Sequence, residues 1–579
     1  MSATSDDARP ATIEARGLAA GLDWATGSHG RAALLLVLFC LAAFLPGFFQ
    51  VPPVDRDEAR YAQASKQMIE AGQYVDIRFQ KEVRYKKPIG IYWLQVAAVK
   101  TGEALGVPEA KTTIWLYRLP SLLGAIGAVL LIYWAALAFV GRRAALVAAL
   151  MMASSILLGV EARLATTDAV LLATCVAAMG ALGRIYLSQR RHPEGPVGWR
   201  WPAILWTAMA GGILIKGPLI VMFVVLTCAT LSIVDRSARW LKATRPVTGL
   251  IWLLILVLPW FLAIMAKSGF LFFKDAVGHD MLAKVTSGQE AHGAPPGLYL
   301  LLFFVTFWPA SLLAGFAVPA VWKARREPGA QFLLAWLIPS WLVFEAVMTK
   351  LPHYVMPLYP AIAILIAGIL EGEARGGAKG GAMSKARWLI HGTVGWFLFP
   401  VVIAIAVVVG FLLLDHDLGL QAWPTAGAAV IVGLFAWRLY EVDGPERALL
   451  RAMAASVLVG ITVYAITFPA MPTLFPSELV LEAVHETGCK SPQVAATGYY
   501  QEPSLVFLLG TGTKFTNAAG AADFLNGGVC RFALIDARSE QTFIRRANAI
   551  GLRYALSKRI NGYNISIGRP VRLTVFRSN

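Results

Sequence analysis

The chain has 579 residues, of which 57% are hydrophobic and 15% charged. Soluble domains carry roughly 25% charged and about 45–50% apolar residues, so an ordinary water-soluble enzyme, a disordered protein and a disulfide-stapled scaffold are all excluded. A polytopic α-helical membrane protein is expected. Lys and Arg number 52 against 35 Asp and Glu, a net charge of +17. In a soluble protein that excess would point to nucleic acid; here its simplest source is the basic bias of cytoplasmic loops, and no nucleic-acid partner is expected.

In chain order, residues 1–30 are polar, with no basic run leading into a short apolar core, and read as a cytoplasmic tail instead of a signal peptide. About 20 apolar residues cross a bilayer, and thirteen such stretches follow, near 31–50, 117–140, 144–160, 168–187, 201–216, 217–234, 247–266, 298–320, 330–349, 354–371, 388–414, 424–438 and 449–470. Pro218 makes the fifth and sixth either two spans or one kinked helix. With the N-terminus inside, the inside loops collect Arg142, Arg143, Arg190, Arg191, Arg236, Arg239, Lys323, Arg325 and Arg326, while most outside loops hold few basic residues. The positive-inside rule then puts the C-terminal tail in the periplasm of a Gram-negative cell, with the protein in the inner membrane.

The loop 51–116 departs from that pattern. It places Arg56, Arg60, Lys66, Arg78, Lys81, Arg84, Lys86 and Lys87 among Tyr61, Tyr74, Tyr85, Tyr92 and Trp93 on the outside face. Such a surface suits membrane lipids or a lipid-linked phosphate. The stretch Asp55-Arg56-Asp57-Glu58-Ala59-Arg60-Tyr61 opens a predicted helix running to about Ala71, with Asp57, Arg60 and Tyr61 on one face at i, i+3 and i+4; alternatively, Asp57 and Glu58 are ordinary first-turn acids. The apolar stretch after Lys87-Pro88 is too short to span and reads as an interfacial helix.

Asp168 stands at the outer end of the fourth span, either as a helix cap or as a second functional carboxylate. Lys216 lies between two apolar stretches, either snorkelling or binding phosphate. In the loop near 275–297, His279 and His292 lack a metal-ligand spacing. No cofactor is required by any motif, and a divalent metal is left open. From 475 to 579, strands expected at 493–497, 531–536 and 571–576 alternate with helices at 477–487, 519–526 and 538–549, a small α/β domain. Cys489 and Cys530, alone in that tail, are expected to pair in an oxidising compartment.

Together, Asp57-Glu58-x-Arg60-Tyr61, Lys87-Pro88-Ile89-x-x-Tyr92-Trp93 and Lys350-Leu351-Pro352-x-Tyr354 resemble the loop motifs of the protein O-mannosyltransferase superfamily of GT-C glycosyltransferases. The thirteen-span layout with a periplasmic α/β tail is most similar to the bacterial branch that adds 4-amino-4-deoxy-L-arabinose to lipid A. The resemblance implies a GT-C transmembrane domain at 31–474, an undecaprenyl-phosphate sugar as donor, lipid A or a related envelope acceptor, and inverting transfer at the periplasmic face. It casts Asp57 and Asp168 as the catalytic carboxylates. Lys87 becomes the donor-phosphate lysine, with Glu58, Arg60, Tyr61, Arg84, Tyr85, Lys216 and Tyr354 around the substrate. Asp280, Lys284 and His292 fall where the relatives have Glu, Arg and His. This chain reads Arg84-Tyr85-Lys86-Lys87-Pro88 where the aminoarabinose transferases read Tyr-Phe-Glu-Lys-Pro, so a cationic aminosugar is a poorer guest than a neutral or acidic sugar. The same fold acting on secreted proteins or another glycan is the alternative. A secondary transporter or flippase is the alternative of another class, although no internal repeat and no midplane charges support it.

Overall fold

The computed structural model describes residues 13–192, 195–275, 293–374, 391–498 and 500–578. All thirteen apolar stretches are helical where described. Among the described residues, eight helices are long and apolar enough to cross a membrane, or nine if Leu298–Thr306 and Ser311–Ala324, bent by 118°, form one broken span. The remaining stretches are shorter helices. His29–Phe44 and Leu219–Val234 are apolar but under 18 residues, and the third stretch is split into Arg142–Ala153 and Ile156–Glu161. Every residue from Ala144 to Ala153 is buried, so this segment packs against protein on all sides and needs no lipid-matched length. The chain is a multi-pass membrane protein.

The segment 1–30, read as a tail, contains the helix Ile13–Thr26, whose Leu22 and Ala25 join the main core. Arg143 ties it down through ion pairs to Asp23 and Glu446.

Between the first two apolar helices, the chain forms the helix Asp57–Ala71, a short antiparallel ribbon of β1 (Arg78–Phe79) and β2 (Glu82–Val83), and the helix Gly90–Ala104. The two helices are joined through buried Ser65, which donates to Gln95 Oε1 at 2.6 Å, while Gln95 Nε2 donates to the Ala165 carbonyl at 3.1 Å. Gly90 lies so close to the helix Arg200–Lys216 that a Cβ there would stand 2.8 Å from the Leu214 carbonyl oxygen. Only glycine permits this approach, and it brings the Lys86–Lys87 segment beside Lys216.

The C-terminal α/β unit has a five-stranded sheet in the order β4-β3-β5-β7-β6, with β3 parallel to β4 and β5, and β7 antiparallel to β5 and β6. These strands are β3 Gln493–Ala496, β4 Lys514–Phe515, β5 Arg531–Asp536, β6 Tyr554–Asn564 and β7 Arg569–Ser578. Side chains alternate faces along a strand. Phe532 and Leu534 therefore pack with Val480 and Val484 of the helix Pro476–His485, whereas Ala533 and Ile535 pack with Ala521 and Phe543 on the other face. Three elements escape the sequence reading: β4, β6 and the helix Pro503–Leu509.

Cys489 and Cys530 form a disulfide with Cα atoms 5.9 Å apart, across 41 positions of sequence, joining the segments that lead into β3 and β5. Replacing both with serine is expected to cost about 2–4 kcal/mol, the usual effect of opening a loop of this size. The check is thermal unfolding of the purified protein with and without reductant. An unchanged midpoint in the double variant would show that the sheet is held without the bond.

Candidate active site

A cavity of about 970 Å³ opens between the helical part and the C-terminal unit. The helix Asp57–Ala71 supplies one wall. Its first turn presents Asp57 and Arg60, 3.9 Å apart, with the Asp57 side chain 63% exposed. Tyr61, buried, packs its ring against Tyr92 at 5.5 Å and beneath the Arg84 guanidinium at 5.2 Å. Arg84 is nine-tenths buried and lines the cavity, and its Nε has no hydrogen-bond partner among the described residues. Lys86 and Lys87 complete this basic side.

The same cavity also holds a compact charge cluster. Asp168, the first residue of its helix, forms a buried ion pair with Lys216 and accepts from Thr167 Oγ1 at 3.1 Å. His353 lies 3.6 Å from Glu161 through Nδ1 and 3.9 Å from Asp168 through Nε2. Thr166 donates to Glu161 at 2.8 Å, and the Lys216 ammonium sits 5.2 Å above the Tyr354 ring. Glu161, Asp168 and His353 bring three potential metal ligands within 4.8 Å of one another. The donor chemistry fits a divalent ion, but the Asp168 carboxylate already contacts an ammonium that delivers positive charge to the same spot.

Two predicted ligands have other roles. Glu58 is buried, and its four hydrogen-bonding positions are filled. Arg118 donates to both oxygens at 2.8 Å, Val54 N–H donates at 2.8 Å and Ala165 N–H at 2.9 Å. It braces the backbone ahead of the helix Asp57–Ala71, and although it also borders the cavity, both of its oxygens are already fully hydrogen-bonded. Tyr85 does not line the cavity; its hydroxyl donates to Asp76 at 2.7 Å and its ring packs on Phe272. Tyr85 stands in the turn that follows β2, where the Asp76 hydrogen bond and the Phe272 contact hold it away from the cavity that Arg84 lines. Lys350, from the third motif, is likewise buried and donates to the carbonyls of Phe344, Glu345 and Val347 at the end of the helix Pro328–Ala346. Asp280, Lys284 and His292 lie outside the described residues.

Other residues at the site went unselected in sequence. Glu161 and His353 stand far apart along the chain and meet only in the fold. Asp55 lines the cavity and accepts from Ser504 N–H at 2.9 Å and Ser504 Oγ at 2.7 Å. Burial, together with the nearby Glu502 carboxylate, pushes its pKa up to about 7, against the pull of those two hydrogen bonds. Gln501, Glu502, Ser566, Ile567 and Arg569 form the wall contributed by the C-terminal unit.

A cavity with several cationic groups along one side can hold a phosphate, and the open Asp57 carboxylate can take a proton from a group arriving beside it. This arrangement on a multi-pass helical frame with a C-terminal α/β unit defines a protein of the GT-C fold. The structural comparison bears this out: ArnT from Cupriavidus metallidurans, in the crystal structure bound to undecaprenyl phosphate, superposes with a TM-score of 0.71 at 20% identity, covering 93% of this chain and 97% of that one. The archaeal oligosaccharyltransferase AglB from Archaeoglobus fulgidus aligns at 0.50 and 12% identity, over 91% and 69% of the two chains.

In sequence, residues 30–270 match the family model of dolichyl-phosphate-mannose-protein mannosyltransferase. The chain also resembles the undecaprenyl phosphate-alpha-4-amino-4-deoxy-L-arabinose arabinosyl transferases. It is 28% identical over 351 residues to that of Edwardsiella ictaluri, 58% of each chain, and 28% identical over 345 residues to that of Pseudomonas aeruginosa strain PAO1, 58% of this chain and 59% of the relative. The alignments thus span less than two thirds of the relatives' length.

Proposed function

We propose that this chain is an inverting glycosyltransferase that moves a sugar from a polyprenyl-phosphate donor, undecaprenyl phosphate in bacteria, to lipid A or a related envelope acceptor. The site faces the periplasm of the inner membrane, with the N-terminal segment cytoplasmic and 475–579 a periplasmic domain. The observation that carries this reading is the cavity in which Arg84, Lys86 and Lys87 face the open Asp57 carboxylate, on the fold of an ArnT crystallised with undecaprenyl phosphate.

The acceptor oxygen attacks the anomeric carbon, the bond from that carbon to the donor phosphate oxygen breaks, and polyprenyl phosphate leaves. Arg84 and Lys87 stabilise the charge growing on that phosphate in a partly dry site. Asp57 takes the proton of a hydroxyl acceptor. Asp168 holds Lys216 in place beside the Lys86–Lys87 segment, and Arg60, Tyr61 and Tyr354 shape the sugar pocket. Lys86, at the position of the relatives' glutamate, favours a neutral or acidic sugar over an aminosugar.

Mass spectrometry of lipid A from a deletion strain, complemented with wild type or with Asp57→Asn, tests the reading. A sugar-sized shift restored by wild type alone is expected. An unshifted lipid A, with a missing sugar on secreted proteins or another glycan, would move the acceptor instead.

No metal is needed in this scheme, because Lys216 already supplies charge beside Asp168 and Glu161. Chelator treatment of the purified protein should therefore leave transfer within about twofold, less than the loss a single electrostatic catalyst causes. A deep loss restored by added Mg²⁺ or Mn²⁺ would instead give Glu161, Asp168 and His353 a metal to hold.

A further inference from the structure

The cavity has one wall that the chemistry above leaves unused. It comes from the turn between β6 and β7, where the chain runs Asn564-Ile565-Ser566-Ile567-Gly568-Arg569. Turns facing water favour polar residues, yet Ile565 is 50% exposed and Ile567 37% exposed. Arg569, exposed, follows at the first position of β7. Ser566, Ile567 and Arg569 all line the large cavity.

The turn is held in shape. Asn564 is buried; its Oδ1 accepts from Ser566 N–H at 2.9 Å and its carbonyl accepts from Gly568 N–H at 2.9 Å. Its Nδ2 donates to Glu502 Oε1 at 2.7 Å, pinning the turn to the neighbouring part of the same wall. Gly568 has φ +65°, a left-handed conformation that favours glycine. Ile567, the Ser566 hydroxyl and the Arg569 side chain are therefore presented on the wall of this cavity, while Ile565 faces the adjoining pocket lined by Pro52, Pro53 and Tyr563.

An apolar surface beside a cation, continuous with a site that already binds a phosphate on its other wall, complements an anionic amphiphile. We infer that the β6–β7 turn is the acceptor subsite and selects a phosphorylated lipid: the isoleucines bear on its acyl part and Arg569 pairs with its phosphate. This rests on the transferase reading for the second substrate, while the turn's own ligand chemistry is measured separately. It also assigns the C-terminal unit a task, choosing the acceptor, while the membrane-side wall holds the donor.

The test is a binding titration of the full-length protein in detergent by native mass spectrometry, with bis-phosphorylated lipid A and undecaprenyl phosphate as separate probes. Arg569→Ala and the pair Ile565→Ser with Ile567→Ser change exposed side chains on which the fold does not depend. Each is expected to weaken lipid A binding at least tenfold and leave undecaprenyl phosphate binding unchanged. Asn564→Ala, which frees the turn, should weaken lipid A binding in the same direction, and Arg569→Lys should recover part of it. Unchanged lipid A binding in the first two variants would overturn the inference. So would parallel loss of both probes, equal competition by phosphatidylglycerol, or a wild-type protein that ignores lipid A and takes a polypeptide acceptor. Turn-dependent lipid A binding without any undecaprenyl phosphate binding would uphold the subsite and remove the donor assignment instead.

Discussion

Replacing Arg118 with methionine is expected to destabilise the protein by about 3–5 kcal/mol, the cost of leaving a buried charge without its partner. The Arg118 and Glu58 side chains are each 1% exposed. Besides the two bonds to Glu58, Arg118 donates through Nη1 to the carbonyls of Phe48 at 3.1 Å and Val51 at 2.7 Å, and through Nη2 to that of Pro52 at 3.0 Å. All five of its N–H groups are thus engaged, which lysine with three donors at a single point cannot reproduce. Arg118→Lys should recover less than half of the loss. Swapping both partners for leucine, often harmless at an isolated buried pair, should not rescue the fold here, because five backbone groups would lose partners as well. Thermal unfolding of the detergent-solubilised variants is the measurement. A loss under about 1 kcal/mol, the net worth of an ordinary hydrogen bond, would show that water or a rearranged loop takes over the role.

The second large effect is expected at Asp57. If it is the base for a hydroxyl acceptor, Asp57→Asn should lower turnover by roughly 10²–10⁴-fold, the range for a positioned general base. The fold should be untouched, since the side chain is largely exposed and makes one loose ion contact, with Arg60. A phosphate acceptor is already ionised near neutral pH, so the same variant should slow that transfer much less. Purified wild type and variant, given one donor and the two acceptor types in turn, decide the point. Equal residual activity on both would mean that Asp57 orients substrate and does not remove a proton.

How far the site could be read in sequence depended on what set each residue's direction. The helix Asp57–Ala71 was legible because first-turn acids, i+3 and i+4 spacing and a closing glycine are local signals. Asp57, Arg60 and Tyr61 therefore reach the cavity as expected. Glu58 also borders the cavity, but its carboxylate is taken by Arg118, and nothing local reveals a partner 60 positions on. Tyr85 sits in the turn after β2, and no local pattern shows that its hydroxyl is held by Asp76. Strand β6 was invisible because Lys558, Arg559, Asn561 and Gly562 break any apolar alternation; it is a sheet edge with much of its surface in water. The helix Pro503–Leu509 is apolar at all but Ser504 over seven residues, too short a run to separate helix from strand by period. By contrast, the long apolar helices announce themselves by composition, and only their breaks, at 154–155 and 307–310, depend on packing.

The back of the helix Asp57–Ala71 meets the C-terminal unit through contacts to both main chain and side chains. Lys66, buried, donates to the Phe507 carbonyl at 2.7 Å, and Gln80 donates to those of Thr511 at 3.1 Å and Thr513 at 2.6 Å. The Thr511 hydroxyl, which accepts from Gln63 Nε2 at 2.8 Å and donates to Glu70 at 2.7 Å, and the buried Phe507 ring, packed on Tyr117, add side-chain contacts to the same joint. The joint therefore constrains the path of residues 507–513 and also the identities of Phe507 and Thr511. A one-residue insertion or deletion there would misplace several acceptors together, so this seam is locked in length while its remaining positions are freer to change.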